Sequence, residues 1–275
     1  RQIPVTTGDA ANSGTYVGQE MLGESQEEMM VDGISALGSG GFQLAAAPTG
    51  IGKTAAALAS ALEVARTDRG STVIMFLTGR QSQHKIVIDT VRKINTRLQD
   101  GVQKVRLVDL IGQQGMCINE IRKEPRALFS RLCADKRSNR GCKPWLANTD
   151  SIRLRILEDP LHVNELVAQC SEPDEDHPTG ICPWKAARET AAFADIVVCD
   201  YNHVFVEHVR EASLPAMGLG LSDLLLVIDE AHNLPDRVRK GYERTIRHQV
   251  IRESKSDLQE HLGNLQAKAS QAVGE

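Results

Sequence analysis

The stretch "FQLAAAPTGIGKTAAALASALEVART" (42–67) decides how the rest of the chain is read. It opens on a short apolar run ending in proline and closes on "KTAAALASALEVART", whose composition and spacing are helical. Between the two lies "APTGIGKT" (47–54), with Gly50 and Gly52 free to curl the backbone so that its N–H groups converge. A helix N-terminus behind such a curl makes an anion cradle suited to phosphates. Pro48, Thr49, Gly50, Ile51 and Gly52 would form the cradle, Lys53 would neutralise β/γ-phosphate charge, and Thr54 would offer its hydroxyl to Mg²⁺. The first glycine of the strict pattern is Ala47 here. The position between strand and helix separates the segment from a chance glycine-rich turn.

Four further apolar runs extend the pattern: "TVIMFLT" (72–78), "VRLVDLIG" (105–112), "ADIVVCDY" (194–201) and "LLLVIDE" (224–230). Near-continuous apolar character is what strands covered on both faces require. Helical segments follow the first two strands, so the expected fold is α/β, a doubly wound parallel sheet with ligands at the carboxyl ends of its strands. The last run delivers two carboxylates, Asp229 and Glu230, to that edge. Asp229 is the candidate for the Mg²⁺ shell, and Glu230 for orienting and deprotonating an attacking water. Together with Lys53 they form the expected catalytic set for a nucleoside triphosphate, ATP. His232 could couple the nucleotide to a neighbouring element or sit on the surface. Gln26, upstream of the loop, could read an adenine edge or belong to an exposed helix.

The 275 residues carry a net charge of −4 and are 41% hydrophobic, ordinary for a globular protein. No apolar run reaches membrane-spanning length, and no secretory leader is visible, so no membrane partner and a reducing compartment are expected. Six cysteines there are ligands or buried thiols rather than a disulfide framework. Five of them fall between residues 112 and 194, where strand–helix alternation stops. Residues 117–145 hold eight Lys/Arg against three Asp/Glu, a basic patch in an acidic chain. Arg131, Lys136, Arg137, Arg140 and Lys143 are its electrostatic candidates, suited to sequence-independent, salt-sensitive binding of single strands. The segment "SEPDEDHPTG" (171–180) reads as an exposed loop. Beyond residue 236 the pattern is charged and helical, with Leu258, Leu262, Leu265 and Ala269 on one face.

The ordered set of Gln26, "APTGIGKT", the strand into "TGRQSQ" (78–83), a cysteine-bearing insertion and "DEAH" resembles the iron–sulfur branch of superfamily-two DNA helicases, the XPD-like and DinG-like enzymes. The run "CPWKAARETAAFADIVVCDYNHVF" (182–205) is especially similar to that family's final cluster cysteine, helix and strand. The resemblance implies a RecA-like motor domain in two parts, 1–112 and 194–238. An iron–sulfur insertion at 113–193 would divide them, and the start of a helical arch domain would follow at 239–275. It implies a [4Fe–4S] cluster on Cys117, Cys133, Cys142 and Cys182, with Cys170 able to replace Cys133 or Cys142, and Cys199 left in the core. No pair has the short spacing of zinc fingers, although zinc or no metal stays open. It also implies DNA contacts at Arg80, Trp184 and Arg188, and 5′→3′ movement on single-stranded and forked DNA. Partners from repair or transcription complexes would follow, in prokaryotic cytoplasm or a eukaryotic nucleus. The family's basic residue before its first cluster cysteine is missing from "IGQQGM" (111–116), and nothing after residue 236 resembles the second motor domain. Alone, the chain should bind nucleotide weakly and not unwind. The competing class is a nucleotide-gated binding or scaffold protein.

Overall fold

A computed structural model describes residues 2–4, 21–46, 52–67, 72–243 and 248–273. Strands β1 (Gln2–Pro4) and β2 (Met21–Gly23) form an antiparallel pair ahead of helix α1 (Glu24–Gly38). The main sheet is parallel and four-stranded, from β3 (Val73–Leu77), β4 (Leu107–Asp109), β5 (Ile196–Cys199) and β6 (Leu224–Ile228), in spatial order β4-β5-β3-β6. The α/β expectation therefore holds.

Period-two side-chain alternation builds two cores from one sheet. Ile74 and Phe76 of β3, with Ile196 and Val198 of β5, face α2 (Lys53–Thr67) and α3 (Gln81–Asn95), where Leu58, Leu62, Val87, Ile88 and Val91 meet them. Val73, Met75 and Leu77, with Val197 and Cys199, face the other side. Every side chain of β3 is buried. At about 1.5–3 kcal/mol for each large apolar side chain, this strand is the sheet's strongest anchor.

The cysteine-bearing stretch covers the second face. It contains α4 (Gln113–Met116), α5 (Arg126–Ser138), α6 (Lys143–Leu146), α7 (Asp150–Glu158), α8 (Val163–Ser171) and α9 (Pro183–Thr190). Met116, Ile152, Ile156, Leu166, Ala186 and Ala187 join the sheet's own core cluster. A buried histidine–carboxylate hydrogen bond fastens it further: His84 Nδ1 on α3 lies 2.5 Å from Asp109 Oδ1, and Asp109 Oδ2 accepts the Val163 N–H at 2.7 Å. Residues 172–179 form the expected exposed loop. The chain continues through α10 (Asn202–Phe205), α11 (Glu207–Ser213), α12 (Leu234–Tyr242) and α13 (His248–Val273), on which Leu258, Leu262 and Leu265 are exposed.

The structure corrects one expected strand. Residues 41–46 are not in a sheet, Phe42 and Leu44 are 91% and 83% exposed, and Ala47 and Pro48 lie outside the described residues. The run offers only small alanines after Leu44 and ends at a proline that lacks an N–H. The Gln43 amide instead donates to the Met29 carbonyl at 3.0 Å and ties the segment to α1.

Candidate functional site

The carboxyl ends of β3, β5 and β6 place Thr78, Tyr201 and Asp229 side by side. Pro48, Thr49, Gly50 and Ile51 lie outside the described residues. Gly52 is described, with φ +80, and the Gln26 amide occupies the space a Cβ there would need. Any other residue at 52 would meet both a disfavoured backbone and that amide. Gln26 is thus no exposed helix residue: it is 8% exposed, in the first turn of α1, against the loop. Lys53 and Thr54 open α2, both half-buried.

Burial raises the Asp229 carboxyl above the ordinary aspartate range, and the neighbouring Glu230 charge adds to this. The Thr78 hydroxyl, 3.2 Å from Asp229 Oδ2, and the Lys53 charge pull it back. A partly desolvated carboxylate held beside a lysine is a site where added positive charge is favourable. The Tyr201 hydroxyl donates to the Asp229 carbonyl at 2.5 Å. Glu230 is left-handed (φ 50), unusual outside glycine, and its carbonyl accepts the Asn233 N–H at 2.9 Å. Its carboxylate lies 3.3 Å from His232 Nδ1 in an exposed pair. Arg80 stands exposed before α3.

Cys117, Cys133, Cys142 and Cys182 come from four elements yet feel one another. Burial pushes the Cys117 thiol up, with Cys142 adding to it. Burial also raises Cys133, with further contributions from Cys117 and Cys142. Cys182 is raised to about 11, chiefly by burial, then by Cys142 and Cys117. Cys170 rises to about 12 through burial, with Cys182 as its one cysteine neighbour, and it packs into the apolar core. Cys199 is fully buried and raised well above 9.0. Among the described residues no three His, Cys, Asp or Glu side chains gather as a group that could hold a metal ion. Four neighbouring thiols are nevertheless the donor set that iron–sulfur ligation uses.

Backbone bonds fix this arrangement. Cys142 and Cys182 each stand just before a helix with proline in its first two positions, and the Cys182 N–H donates to the Pro144 carbonyl at 2.9 Å. Gly180 (φ +73) makes the preceding turn, with the Cys170 carbonyl where a Cβ would sit. Gln113 Nε2 lies 3.3 Å from Cys133 Sγ.

Trp145 and Trp184 lie with ring centroids 6.2 Å apart. The Arg137 guanidinium covers Trp145 at 4.7 Å and that of Arg188 covers Trp184 at 4.1 Å. A base stacking on the covered face of Trp184 would have to displace Arg188. The two guanidiniums repel each other, and Nε of each is buried without a hydrogen-bond partner. Arg131, Arg140 and Lys143 are exposed, and Lys136 is half-buried.

Arg188 also bears on His203, whose pKa is lowered to about 4 by burial and by that charge, against an opposing contribution from Asp200. A histidine that protonates more readily unfolded than folded stabilises the fold fully above about 6.5, the model-peptide value, and less as pH falls towards 4. The shift corresponds to about 3 kcal/mol. The urea midpoint should therefore drop between pH 7 and pH 4.5, and His203→Gln should flatten that dependence; identical slopes would refute it.

Sequence reasoning missed Tyr201, Thr78, the His84–Asp109 pair and the Arg–Trp stacks. Signals existed: a carboxylate inside the apolar run "VRLVDLIG" (105–112), and a histidine on the buried stripe of α3.

Residues 76–251, from β3 through the cysteines to α13, match the DEAD_2 family model. The chain is 26% identical over 193 residues to ATP-dependent DNA helicase chl1 of Schizosaccharomyces pombe, covering 68% of this chain and 21% of that protein. It is 28% identical over 152 residues to ATP-dependent DNA helicase DDX11 of Danio rerio, covering 49% and 17% respectively. It therefore spans about a fifth of these relatives' length. A solved XPD helicase aligns with a TM-score of 0.47 at 19% identity, over 80% of this chain and 34% of that one. Since the family match takes in the sheet, the cysteine-bearing stretch and the Asp229–Glu230 turn, well over half of the chain, the protein belongs to the DEAD_2 family.

Proposed function

We propose that this chain is the N-terminal motor half of an ATP-dependent DNA helicase that moves 5′→3′ on single-stranded DNA and opens forked duplexes, with a role in DNA repair. The observation that carries the reading is the meeting of Lys53, Thr78, Asp229 and the Gln26–Gly52 contact at one edge of the sheet. In this reading Gln26 reads the adenine, and the loop residues Pro48 to Thr54 cradle the phosphates. Lys53 offsets β/γ charge, Thr54 and Asp229 hold Mg²⁺, and Glu230 orients the water. His232, paired to Glu230, links that carboxylate to the second motor half.

Cys117, Cys133, Cys142 and Cys182 would hold a [4Fe–4S] cluster, which when bound supplies a redox-capable cross-link among four chain segments. Cys170 is set apart by its place in the apolar core. Arg131, Lys136, Arg140 and Lys143 would neutralise phosphates along the strand, with Arg80 at the head of α3. The orphaned Nε–H groups of Arg137 and Arg188 are donors that a phosphate oxygen would satisfy. Partners would be drawn from repair or transcription complexes. No helix among the described residues is long and apolar enough to cross a membrane.

Two measurements test the reading. Single-stranded DNA should stimulate ATP hydrolysis once a second motor domain is joined to the chain; unstimulated hydrolysis would favour an ATPase acting on another substrate. Arg131→Glu with Lys143→Glu should weaken single-strand binding and flatten its salt dependence by about 1.4 in log–log slope, at about 0.7 for each lost phosphate contact. An unchanged slope would remove the basic patch from the DNA path.

A further inference from the structure

Between the turn that presents Arg80 and the carboxylate assigned to Mg²⁺ lie two parallel connections, each ending in a hydroxyl that bonds Asp229. In the first, the Arg80 N–H points to Thr78 Oγ1 at 3.5 Å, and that hydroxyl donates to Asp229 Oδ2 at 3.2 Å. In the second, Gly79 packs against the edge of the Tyr201 ring, and the Tyr201 hydroxyl donates to the Asp229 carbonyl at 2.5 Å.

The surroundings leave this contact little freedom. Tyr201 is 1% exposed and belongs to the core cluster beneath the sheet. A Cβ on Gly79 would come within 3.2 Å of the Tyr201 ring and of Arg237 Nη2 alike, so a larger residue there would need the buried ring to give by a few tenths of an ångström. The Asp229 N–H is meanwhile held by the Leu77 carbonyl at 2.9 Å. Asp229 is thus tied to the end of β3 through its N–H and its carboxylate, and to Tyr201, just beyond β5, through its carbonyl. A shift of the Gly79–Arg80 turn must stretch one bridge or drag Asp229 with it.

We propose that Tyr201 is a positioning residue that couples occupancy of the Arg80 turn by a nucleic-acid strand to the placement of Asp229 at the nucleotide. Thr78 provides the second, weaker bridge. This rests on the proposed function, since it takes Arg80 as a strand contact and Asp229 as a Mg²⁺ ligand. It adds the connection between them. Tyr201 touches neither ligand. Its ring meets Gly79 and its hydroxyl holds Asp229, so loss of the hydroxyl should change how one ligand affects the other more than it changes either affinity.

The test is a linkage measurement on the chain as it stands. Affinity for a magnesium-bound, non-hydrolysable ATP analogue is measured with and without saturating oligothymidylate, and the reciprocal pair is measured as a check, because coupling must be equal both ways. In the wild type the strand should tighten the analogue by about fivefold or more, the lower end of ordinary coupling. Tyr201→Phe keeps the ring and removes the hydroxyl, and should bring that ratio to about one while each separate affinity stays within about threefold. Thr78→Val should lower the ratio partly and Thr78→Ser should restore it, so the test survives if the tyrosine variant fails to fold. A merely structural role would lower melting temperature and both affinities but leave the ratio. A ratio unchanged in both Tyr201→Phe and Thr78→Val, with both ligands still bound, overturns the coupling role alone. A wild type that binds no analogue or no strand overturns the proposed function, and this inference with it.

Discussion

Lys53→Ala is expected to lower ATP turnover by about 10²–10³-fold, the usual loss when one preorganised charge is withdrawn from a reacting centre. The lysine is the first residue of a well-packed helix whose buried face includes Ala56, Leu58, Ala59, Ala61, Leu62 and Ala65. Alanine at 53 removes none of that packing and suits a helix start, so the fold should persist with an unaltered melting temperature. Lys53 is also one of the influences holding the Asp229 carboxyl down against burial and the Glu230 charge. Without it Asp229 should protonate more readily as pH falls. The variant should also bind nucleotide more weakly, because the phosphate charge loses its cationic partner. Turnover is read on the chain joined to a second motor domain, and Mg²⁺-dependent nucleotide binding on the chain itself. Retained turnover with unchanged nucleotide affinity would sink the phosphate-loop assignment.

Cys182→Ser should abolish iron retention in anaerobically prepared protein, from about four irons per chain to near zero, with loss of the visible absorption band. The thiol at 182 is electrostatically coupled to Cys117 and Cys142 and caps α9, the helix that carries Trp184 and Arg188. Its burial and its pKa near 11 make it a poor thiolate on its own, so metal loading must release its proton and should strengthen as pH rises. Serine is close in size but a weak ligand for iron, so the helix cap survives while the site does not. Single-strand binding and unwinding should suffer more than ATP hydrolysis, because the sheet and Lys53 lie outside the cysteine-bearing segment. Cys170→Ser and Cys199→Ala are the controls: both thiols sit in the apolar core, and both variants should keep their iron. Iron retained in Cys182→Ser, or lost in Cys170→Ser alone, would mean a different ligand set. A wild type that never holds iron would leave the four thiols a structural cluster only.

What the sequence determined by itself was whatever is encoded within a dozen neighbouring residues. Helix α2 starts and ends where "KTAAALASALEVART" does, because helical spacing and propensity act between residues three and four apart. The runs around 73–77, 196–199 and 224–228 were legible as strands because both faces of the sheet demand apolar side chains. Glycine at 52 was legible because a left-handed backbone turn leaves few alternatives.

Tertiary structure decided everything that joins distant residues. The apolar run at 42–48 carries strand chemistry, yet residues 42–46 have no sheet partner, and strand formation depends on pairing as much as composition. The bond from Tyr201 to Asp229 spans 28 residues and that from His84 to Asp109 spans 25; no local periodicity announces either. How far the Cys170 and Cys182 thiols are pushed up, to about 12 and about 11, depends on how much water each loses when α8 and α9 close over the sheet. Desolvation is a property of the packed chain, and so are the charges that each group feels across it.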